Sequence, residues 1–347
     1  MSKTIVILYS HDEQENISAD NEDTLIQLAE ISEILKDDNY TVIALAFNNQ
    51  IDALTFKLRE INPCCVFNLV ETIHGQIKLQ YFSAAFLEFL GYSYTGCPAW
   101  SLAALASKTS VKQMLIQAGL PTPDFVSESQ QTDSISHASK WLIKPDTEHA
   151  SYGLDSNSII NLDVNTKVDL LQILTLKNQQ SGLEWFAEKF ISGREFNVSI
   201  LENESGQMEV LVPVEMTVNG EQTIGDKILD YAAKWEPESE DYEIFVHKFD
   251  YEDSDKELIR KLMEISQRCC HLFGLRGAAR IDYRVDLNNN PWVVDINANP
   301  CLTSDAGLMV AAARFAKLSQ KEVILRLVRL ASSQKLNREV KHKEQQC

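Results

Sequence analysis

Residues 277–300 read GAARIDYRVDLNNNPWVVDINANP, two runs of alternating polar and apolar side chains around an asparagine-rich centre. This alternation predicts a β-hairpin. If Asn288 and Asn289 are the two central turn residues, Asp282 lies opposite Asp295, whereas a three-residue loop would shift the pairing by one. Like charges placed directly opposite each other destabilise a sheet unless something neutralises them, and a hard cation with oxygen ligands would do so.

The alternation also predicts which side chains share the face of these two carboxylates. On the first strand the residues predicted to share one face are Arg280, Asp282, Arg284 and Asp286. On the second strand the residues predicted to share one face are Val293, Asp295, Asn297 and Asn299. An ordinary strand with a charged outer face is a common alternative. The interpretation as a metal site is favoured because Asp295, Asn297 and Asn299 follow Val293 and Val294. Side chains with oxygen ligands thus recur where the strand is becoming more apolar.

The composition is that of a folded, acidic protein. The chain has 347 residues, of which 44% are hydrophobic and 24% charged, and its formal net charge is −18. This length suits roughly two or three domains with ample core. The negative charge argues against nucleic acid and against an anionic membrane as general partners, because both carry phosphate charge. It does not exclude ATP, which local lysines and a metal ion can bind.

The cysteines and the N-terminus predict a cellular compartment. Seven cysteines are scattered at positions 64, 65, 97, 269, 270, 301 and 347 without a C-x-x-C spacing, which is typical of reduced thiols rather than of disulfides or a zinc site. The first residues form a strand pattern too short for a signal sequence, and no apolar run is long enough to span a membrane. We therefore expect a cytoplasmic protein.

Strands and helices alternate through the first part of the chain, which predicts an open α/β domain. The predicted strands are Thr4–Tyr9, Thr41–Phe47, Cys64–Val70 and Tyr92–Thr95. The loop after the first strand lacks G-x-G-x-x-G, so a dinucleotide-binding domain is not favoured. Open sheets bind ligands at the carboxyl ends of their strands.

Three residues at that edge are candidates for substrate contacts. Glu13 and Glu15 follow the first strand and could hold a substrate amine, although a solvated acidic loop explains them equally well. His74, followed by Gly75, comes after the third strand. A structural or simply exposed histidine is the alternative there.

The middle of the chain adds further polar features in a fixed order. A helix is predicted over Ser101–Ala118 and contains Lys108, and the next strand ends at Lys144. The small-residue loop 146–153 then returns as a strand, which would make a flap able to cover phosphates with backbone N–H groups. EWFAEKFISGRE follows at 184–195, and DYAAKW follows at 230–235.

The order of these features and of the Arg280-x-Asp282…Asp295-x-Asn297-x-x-Pro300 hairpin resembles the ATP-grasp ligases, specifically the D-alanine–D-alanine ligase branch. The resemblance covers almost the whole chain. It implies an α/β protein with the ATP-grasp fold and an N-terminal open α/β (pre-ATP-grasp) domain. The implied divisions are an N-terminal substrate domain over 1–105, a small ATP-grasp subdomain with the flap over 106–186, a C-terminal subdomain with the metal site over 187–332 and a polar tail over 333–347.

The resemblance also implies a role for individual residues. ATP phosphates would contact Lys108, Lys144 and the flap residue Ser151. The segment that reads adenine would be Glu188, Lys189, Phe190 and Ile191, and Glu195 would hold the ribose hydroxyl groups. Two Mg²⁺ ions, or Mn²⁺ in their place, would bind Asp282, Asp295 and Asn297. Arg280 would stabilise the tetrahedral oxyanion together with a backbone N–H near Cys301, and Lys234 would reach the transferred phosphate.

The chain departs from the family pattern where the amino-acid substrates would bind. The family loop after the third strand is shortened around His74. The other positions that differ from the pattern are His149, Ala150, Trp235 and Ala306, and at the metal site Asp295 is shorter than the usual glutamate. Trp235 and Asn299 join the candidates for substrate contacts. The ATP-activating part therefore resembles the family closely, whereas the amino-acid pocket does not.

These observations predict an ATP-dependent ligase that joins a small-molecule carboxylate to an amine and whose substrates are not D-alanine. A carboxylate cannot accept an amine directly because oxide is not a leaving group, and phosphorylation supplies one. Two alternatives stay open: a non-catalytic ATP-binding protein with a regulatory role, and a phosphotransferase that stops at the phosphorylated product. A homodimer is also left open.

Overall fold

The computed structural model describes residues 3–10, 19–48, 50–128, 139–148, 154, 158–162, 170–218, 224–225 and 245–344. The strands in these ranges are β1 (Thr4–Ser10), β2 (Thr41–Phe47), β3 (Cys65–Leu69), β4 (Phe125–Ser127), β5 (Ser139–Pro145), β6 (Ile159–Leu162), β7 (Trp185–Lys189), β8 (Arg194–Glu202), β9 (Met208–Val210), β10 (Val214–Val218), β11 (Phe245–Lys248), β12 (Ala278–Val285) and β13 (Pro291–Asn297). The helices are α1 (Ala19–Asp37), α2 (Ile51–Ile61), α3 (Tyr81–Leu90), α4 (Ala99–Leu105), α5 (Lys108–Gln117), α6 (Leu170–Ser181), α7 (Lys256–Phe273), α8 (Gly307–Ala311) and α9 (Gln320–Glu344).

The N-terminal part is a parallel three-stranded sheet in the order β2-β1-β3. Its central strand is apolar on both faces, as expected where helices cover a parallel sheet. At the carboxyl end of β1 the Ser10 hydroxyl accepts hydrogen bonds from the backbone N–H groups of Glu71 and Thr72, each at 2.9 Å. This contact fixes the segment after β3 at the ligand-binding edge of the sheet.

Two antiparallel sheets make up the rest of the described chain. One has four strands in the order β4-β7-β5-β6, and the other has six, with the path β11-β10-β8-β12-β13 and β9 attached to β8. The amphipathic helix α7 packs on the six-stranded sheet through buried residues such as Leu262 and Phe273. The hairpin β12-β13 forms one side of this sheet, and its apolar face, with Ile281 and Tyr283, is part of the packed core.

The hairpin forms as predicted, but its loop differs from the prediction. The loop contains three residues, and Asn289 adopts a left-handed conformation with φ of 59°. Near the loop Tyr283 therefore pairs with Val293, one residue away from the predicted register. A bulge at Val294 then adds one residue to β13 and restores the pairing of Asp282 with Asp295.

The bulge also changes which side chains share a face. Val293 was predicted to lie beside Asp295, but it is buried in the core together with Ile296. Val294 lies instead at the cavity described below, as does Asp295. Because the extra residue breaks the two-residue period of the strand, the alternation read from the sequence holds only on the Asp295 side of the bulge.

Three other elements differ from their predicted extents. The helix predicted over Ser101–Ala118 is divided into α4 and α5 by Ser107, whose hydroxyl caps the second helix by accepting a hydrogen bond from Ser110 N at 3.2 Å. Tyr92–Thr95 pairs with β3 only at Tyr94, because left-handed glycines at 91 and 96 turn the chain on either side. Helix α9 continues to Glu344, through most of the segment predicted as a tail.

The predicted domain boundary at 186 falls inside β7, which continues to Lys189 as part of the four-stranded sheet. The division into domains otherwise stays a prediction. Among the described helices, none is both long and apolar enough to cross a membrane.

Candidate active site

A cavity of about 670 Å³ is lined by strand residues of the two antiparallel sheets, by the segment after β3 and by residues of helices α1 and α5. The predicted site residues on its wall are Lys108, Lys144, Glu188, Lys189, Phe190, Ile191, Glu195, Arg280, Asp282, Asp295, Asn297 and Asn299. The predicted residues Glu13, Glu15, Ser151, Lys234 and Trp235 lie outside the described residues, as do His149 and Ala150. The structure thus brings together residues that are up to 191 positions apart between Lys108 and Asn299.

Of the predicted site residues that are described, His74 is the one placed away from the cavity wall. Both His74 and Gly75 have positive φ, 52° and 66°, and they form the exposed two-residue turn of a tight bridge between Ile73 and Gln76. Turns of this hand require positive φ at both central positions, and the glycine is suited to it. The exposed-residue alternative therefore accounts for His74 better than a substrate contact does.

The two carboxylates of the hairpin face each other, and one of them is held by a guanidinium. Arg280 binds Asp282 through two hydrogen bonds, from Nε to Oδ1 at 2.8 Å and from Nη2 to Oδ2 at 2.9 Å. The negative charge of Asp282 raises the pKa of Arg280. Asn197 Nδ2 also donates to Asp282 Oδ1 at 2.8 Å. Sequence analysis missed Asn197, although strand pairing places it directly beside Asp282 on β8.

The oxygen atoms on this face suit a magnesium ion that also binds phosphate. Asp282, Asp295 and Asn297 offer two carboxylates and an amide oxygen; that amide oxygen accepts a hydrogen bond from Asn299 N at 2.9 Å and keeps a second lone pair. The described residues hold no cluster of three or more His, Cys, Asp or Glu side chains suited to a metal. Mg²⁺ is commonly bound through one or two carboxylates, with waters and substrate phosphates completing its shell, and the residues fit this pattern.

Two buried lysines share one glutamate, Glu188, which lines the same cavity. Glu188 Oε1 lies 2.6 Å from Lys144 Nζ, and its Oε2 lies 2.7 Å from Lys112 Nζ. Burial alone would raise the pKa of Glu188, but the two ammonium groups outweigh it and the pKa is lowered. Burial lowers the pKa of Lys112 and the charge of Lys144 lowers it further, against the opposite effect of Glu188. The two ammonium groups thus account for the lowered pKa of Glu188, whereas burial is the main cause of the lowered pKa of Lys112.

The ion pairs of Glu188 give it a different role from the adenine contact predicted for it. Glu188 lines the cavity, but its carboxylate is occupied by the two lysines, so it acts as an anchor for Lys144. Sequence analysis missed Lys112. The available signal was its spacing of four residues after Lys108 on the same helix, which puts both on one face. The Val294 carbonyl at the bulge also accepts a hydrogen bond from Lys144, at 3.4 Å.

Lys108 is held at the root of the predicted flap. Its Nζ donates to the carbonyl of Glu148 at 2.5 Å, and its backbone N–H donates to the carbonyl of Asp146 at 3.0 Å. The Asp146 side chain accepts from Thr109 N at 2.7 Å, which satisfies an N–H group in the first turn of α5. The start of the loop is therefore fastened to the helix that carries Lys108.

The predicted ribose contact, Glu195, pairs with an arginine that sequence analysis did not single out. Arg284 Nη1 donates to Glu195 Oε2 at 3.2 Å. Arg284 also donates from Nε to the Ile191 carbonyl at 2.9 Å and from Nη2 to the Gly225 carbonyl at 2.5 Å. Its guanidinium lies over the Phe190 ring, 5.0 Å from the centroid. The nucleotide segment and the hairpin are therefore linked through one side chain.

The end of the cavity beyond the hairpin is acidic. Gln27 Nε2 donates to Asp23 Oδ2 at 3.1 Å and to Glu71 Oε1 at 3.3 Å, and Gln27 Oε1 accepts from Leu302 N at 3.0 Å. Burial raises the pKa of Asp23. Burial also raises the pKa of the Cys301 thiol to about 12, with Asp23 adding to the effect. Sequence analysis missed Asp23 and Gln27, because neither stands out from a polar helix.

His247 of β11 is another cavity residue that the sequence did not mark. Its Nε2 lies 3.9 Å from where a Cβ on Gly307 would stand, and Gly307 follows Ala306 on the same wall. Burial lowers the pKa of His247, and the charge of Arg280 lowers it further. Since an unperturbed histidine has a pKa of about 6.5, this imidazole is neutral near pH 7. It supplies a neutral hydrogen-bonding group next to Arg280.

Comparison with solved structures identifies the class of fold. The D-alanine–D-alanine ligase of Bacillus anthracis complexed with ATP aligns over 96% of this chain and 99% of its own, with a TM-score of 0.71 at 17% identity. The D-alanyl-alanine synthetase A of Vibrio cholerae aligns over the same shares, with a TM-score of 0.71 at 16% identity. The protein has the ATP-grasp fold, as predicted.

Sequence comparison identifies the family. The family model for the D-ala D-ala ligase C-terminus matches residues 114–329, which is more than half of the chain. The chain therefore belongs to the D-alanine–D-alanine ligase family, and it is an ATP-grasp ligase. It is 27% identical to the D-alanine–D-alanine ligase of Haemophilus ducreyi over 95% of this chain and 98% of that protein. It is also 27% identical to the uncharacterized protein y4sG of Sinorhizobium fredii, over 71% and 68% of the two chains.

Proposed function

We propose that this ligase activates a small-molecule carboxylate with ATP and joins it to an amine, forming an amide or peptide bond through an acyl phosphate. One observation carries the proposal: Asp282 faces Asp295 on a hairpin whose Arg280 points into the same cavity as Lys144 and Glu195. The oxygens proposed as metal ligands, the lysines proposed to bind phosphate and the proposed oxyanion donor thus line the same cavity. This set matches what phosphoryl transfer followed by acyl transfer requires.

ATP and Mg²⁺ are the proposed cofactors. Asp282, Asp295 and Asn297 would hold the metal, which would supply charge neutralisation at the phosphates. Lys144, held by its ion pair with Glu188, and Lys108 would bind phosphate oxygens. Glu195 would receive the ribose hydroxyl groups, and Phe190 and Ile191 would line the adenine site. The number of metal ions, the use of Mn²⁺ and the roles of Ser151 and Lys234 belong to the proposal.

The chain's own groups account for both chemical steps. In the first step a carboxylate oxygen of the substrate attacks the terminal phosphorus of ATP and ADP leaves, with positive side chains such as Lys144 balancing the charge. In the second step the neutral amine attacks the acyl carbon, phosphate leaves with its bonding electrons, and the amine proton is released. The Arg280 Nη1 group donates to no residue in the described part of the chain, so it is available to the oxyanion that develops in this step.

We further propose that the substrates are not a pair of D-alanines. The support is the changed substrate end, where Ala306 stands at the position of a family serine and lines the cavity beside His247. A methyl group cannot donate a hydrogen bond to a substrate carboxylate, and a buried polar group left unpaired costs about 1–3 kcal/mol. The acidic residues Asp23 and Glu71 at this end would favour a substrate that carries an ammonium group. A cytoplasmic location and a possible homodimer stay predictions.

The test is an assay for ADP and phosphate with Mg-ATP and pooled amino acids and small carboxylates. The pools are given singly and together, and D-alanine is assayed alone. Product release that needs both an acid and an amine, with an amide product found by mass spectrometry, supports the proposal. ATP binding without turnover would favour the regulatory alternative. A stable phosphorylated product without amine dependence would identify a phosphotransferase. Rapid D-alanyl-D-alanine formation would contradict the substrate proposal alone.

A further inference from the structure

Arg284 makes an unusual set of contacts for a residue on a metal-binding hairpin. It lies on β12 on the same face as Arg280 and Asp282, and its side chain is 7% exposed. A buried guanidinium is stable only when its N–H donors find acceptors. Arg284 satisfies this need with groups from outside the hairpin, so its position is fixed from several directions.

Three of the four groups that Arg284 contacts, on Phe190, Ile191 and Glu195, belong to segments that line the cavity and would enclose a nucleotide. The Ile191 carbonyl at 2.9 Å and the Phe190 ring at 5.0 Å belong to the segment after β7. The Glu195 carboxylate at 3.2 Å belongs to β8, and the Gly225 carbonyl at 2.5 Å lies on a short segment bridged to Gly193. Strand pairing sets this up, because Arg284 and Glu195 are direct partners across β12 and β8.

The contact with Glu195 orients one oxygen and leaves the other for a ligand. Arg284 binds Oε2, whereas Oε1 receives no hydrogen bond from the residues that the structure describes. An ionised carboxylate accepts hydrogen bonds and donates none, which suits two hydroxyl donors such as those of ribose. A charge-assisted contact to a planar guanidinium also fixes the direction of the carboxylate, which a lysine would not do as well.

We propose that Arg284 is a positioning residue for nucleotide recognition. It holds Glu195 and the Phe190–Ile191 segment where they can bind the ribose hydroxyl groups while the phosphates lie at the proposed metal ligands of the hairpin. This inference rests on the proposed ATP site and adds a residue to it. It means that the hairpin contributes at both ends. One end carries the metal ligands, and the other sets the place of the sugar.

The experiment measures the affinity of the full-length protein for ATP and for 2′,3′-dideoxy-ATP, both with Mg²⁺, by calorimetry. The wild type should prefer ATP by about tenfold or more, the factor expected when charge-assisted hydrogen bonds to the hydroxyl groups are lost. Arg284→Met should reduce this preference to below about threefold. Glu195→Gln should do the same, and the double variant should show no additional loss of preference.

A matched control is available one residue before Glu195. Arg194 is another ion-paired arginine that lies over an aromatic ring, Phe196, but it is only half-buried, binds Glu215 and Asp255 and does not line the cavity. Arg194→Met should lower stability and keep the tenfold preference. This control separates a general loss of packing from a loss of ribose recognition.

Several outcomes would overturn the inference. If Arg284→Met keeps the wild-type preference while both affinities fall, Arg284 is only structural. If the wild type binds ATP and dideoxy-ATP equally, no ribose recognition exists for Arg284 to support, although the ATP site stands. If the wild type binds no ATP, the proposed function itself fails. Should Arg284→Met not fold, Arg284→Lys takes its place. The lysine ammonium lacks the planar fork of donors that reaches Ile191, Glu195 and Gly225 from different nitrogens, so the preference should fall at least about threefold. An unchanged preference contradicts the inference.

Discussion

Arg280 and Arg284 lie four residues apart on the same face of one strand, and their surroundings differ sharply. The Arg280 side chain is 30% exposed and contacts one carboxylate, Asp282. The Arg284 side chain is 7% exposed and contacts Glu195, two backbone carbonyls and an aromatic ring. The first guanidinium still has a donor directed at the cavity, whereas the second is enclosed.

The difference shows that two identical side chains on one strand can serve different purposes. A guanidinium with an unused N–H donor beside a cavity can bind the negative charge that develops on a reacting molecule. A guanidinium whose nitrogens already donate to other residues instead holds those residues in place. We therefore expect substitutions around Arg280 to reduce turnover and substitutions at the enclosed charged groups to reduce stability and nucleotide recognition.

The largest effect is expected at the proposed metal ligands near Arg280. Asp295→Asn removes one negative charge from the facing carboxylates and should lower the rate of ATP-dependent turnover by about a thousandfold or more, since a bound metal contributes several kcal/mol to the transition state. The circular dichroism spectrum should match that of the wild type. Normal turnover in the variant would remove Asp295 from the metal site.

A smaller effect, on stability, is expected at the enclosed Glu188. Glu188→Gln leaves Lys112 and Lys144 in a buried site without a carboxylate and should lower the free energy of unfolding by about 3 kcal/mol. Because the pKa of Glu188 is lowered in the folded state, the stabilisation is complete above its unfolded pKa and is lost as the pH falls through the folded value.

Urea unfolding across a pH series checks both parts of this prediction. The difference in unfolding free energy between wild type and Glu188→Gln should be constant from about pH 6 to 8, and it should shrink at acidic pH, below the unfolded glutamate pKa of about 4.3. Thr175→Ala, at an exposed contact to Glu128, serves as a control that should show little change. A difference that grows on acidification would contradict the ion-pair account.

Arg280→Ala tests the comparison directly. Loss of one donor to an oxyanion typically raises the barrier by about 3 kcal/mol, so amide formation should fall by roughly a hundredfold. The affinity for ATP should change by less than about threefold, which is the reverse of the pattern expected for Arg284→Met. Single-turnover rates and calorimetric affinities separate the two. A loss of ATP affinity with an unchanged rate per bound ATP would show that Arg280, like Arg284, serves nucleotide binding, and it would contradict the catalytic role.

The smallest effect is expected at the tip of the hairpin, beyond both arginines. Asp286 accepts hydrogen bonds from Asn288 N and Asn290 N, each at 2.9 Å, and closes the three-residue loop. Asp286→Ala should lower the free energy of unfolding by about 1 kcal/mol and leave turnover unchanged within about twofold. A large loss of activity would show that the loop controls the register of Asp282 and Asp295.

The hairpin shows what the sequence could predict and why. The alternation of GAARIDYRV and PWVVDIN predicted the strands and the facing pair Asp282 and Asp295 correctly. The predicted loop was one residue too short, and the bulge at Val294 compensated for it. A bulge depends on neighbouring groups, such as the Lys144 ammonium that reaches the Val294 carbonyl, and these come from distant parts of the chain.

Residues that the sequence did not reveal were missed for the same reason: their partners are distant in the chain. Lys112, Asn197 and Arg284 act through partners 76, 85 and 89 positions away, namely Glu188, Asp282 and Glu195. Local pattern identifies residue types that can carry chemistry, but it does not show which buried charges will meet. His74 illustrates the opposite error, because a histidine next to a glycine suits a tight turn as well as it suits a site.

The central claim is that ATP activates a substrate carboxylate as an acyl phosphate, and oxygen transfer tests it most directly. The protein is incubated with Mg-ATP, an amine pool and amino acids whose carboxyl oxygens are labelled with ¹⁸O, and the released phosphate is analysed by mass spectrometry. The account predicts one ¹⁸O atom in each phosphate, together with an amide product in equal amount. Phosphate that contains no ¹⁸O despite amide formation would contradict it.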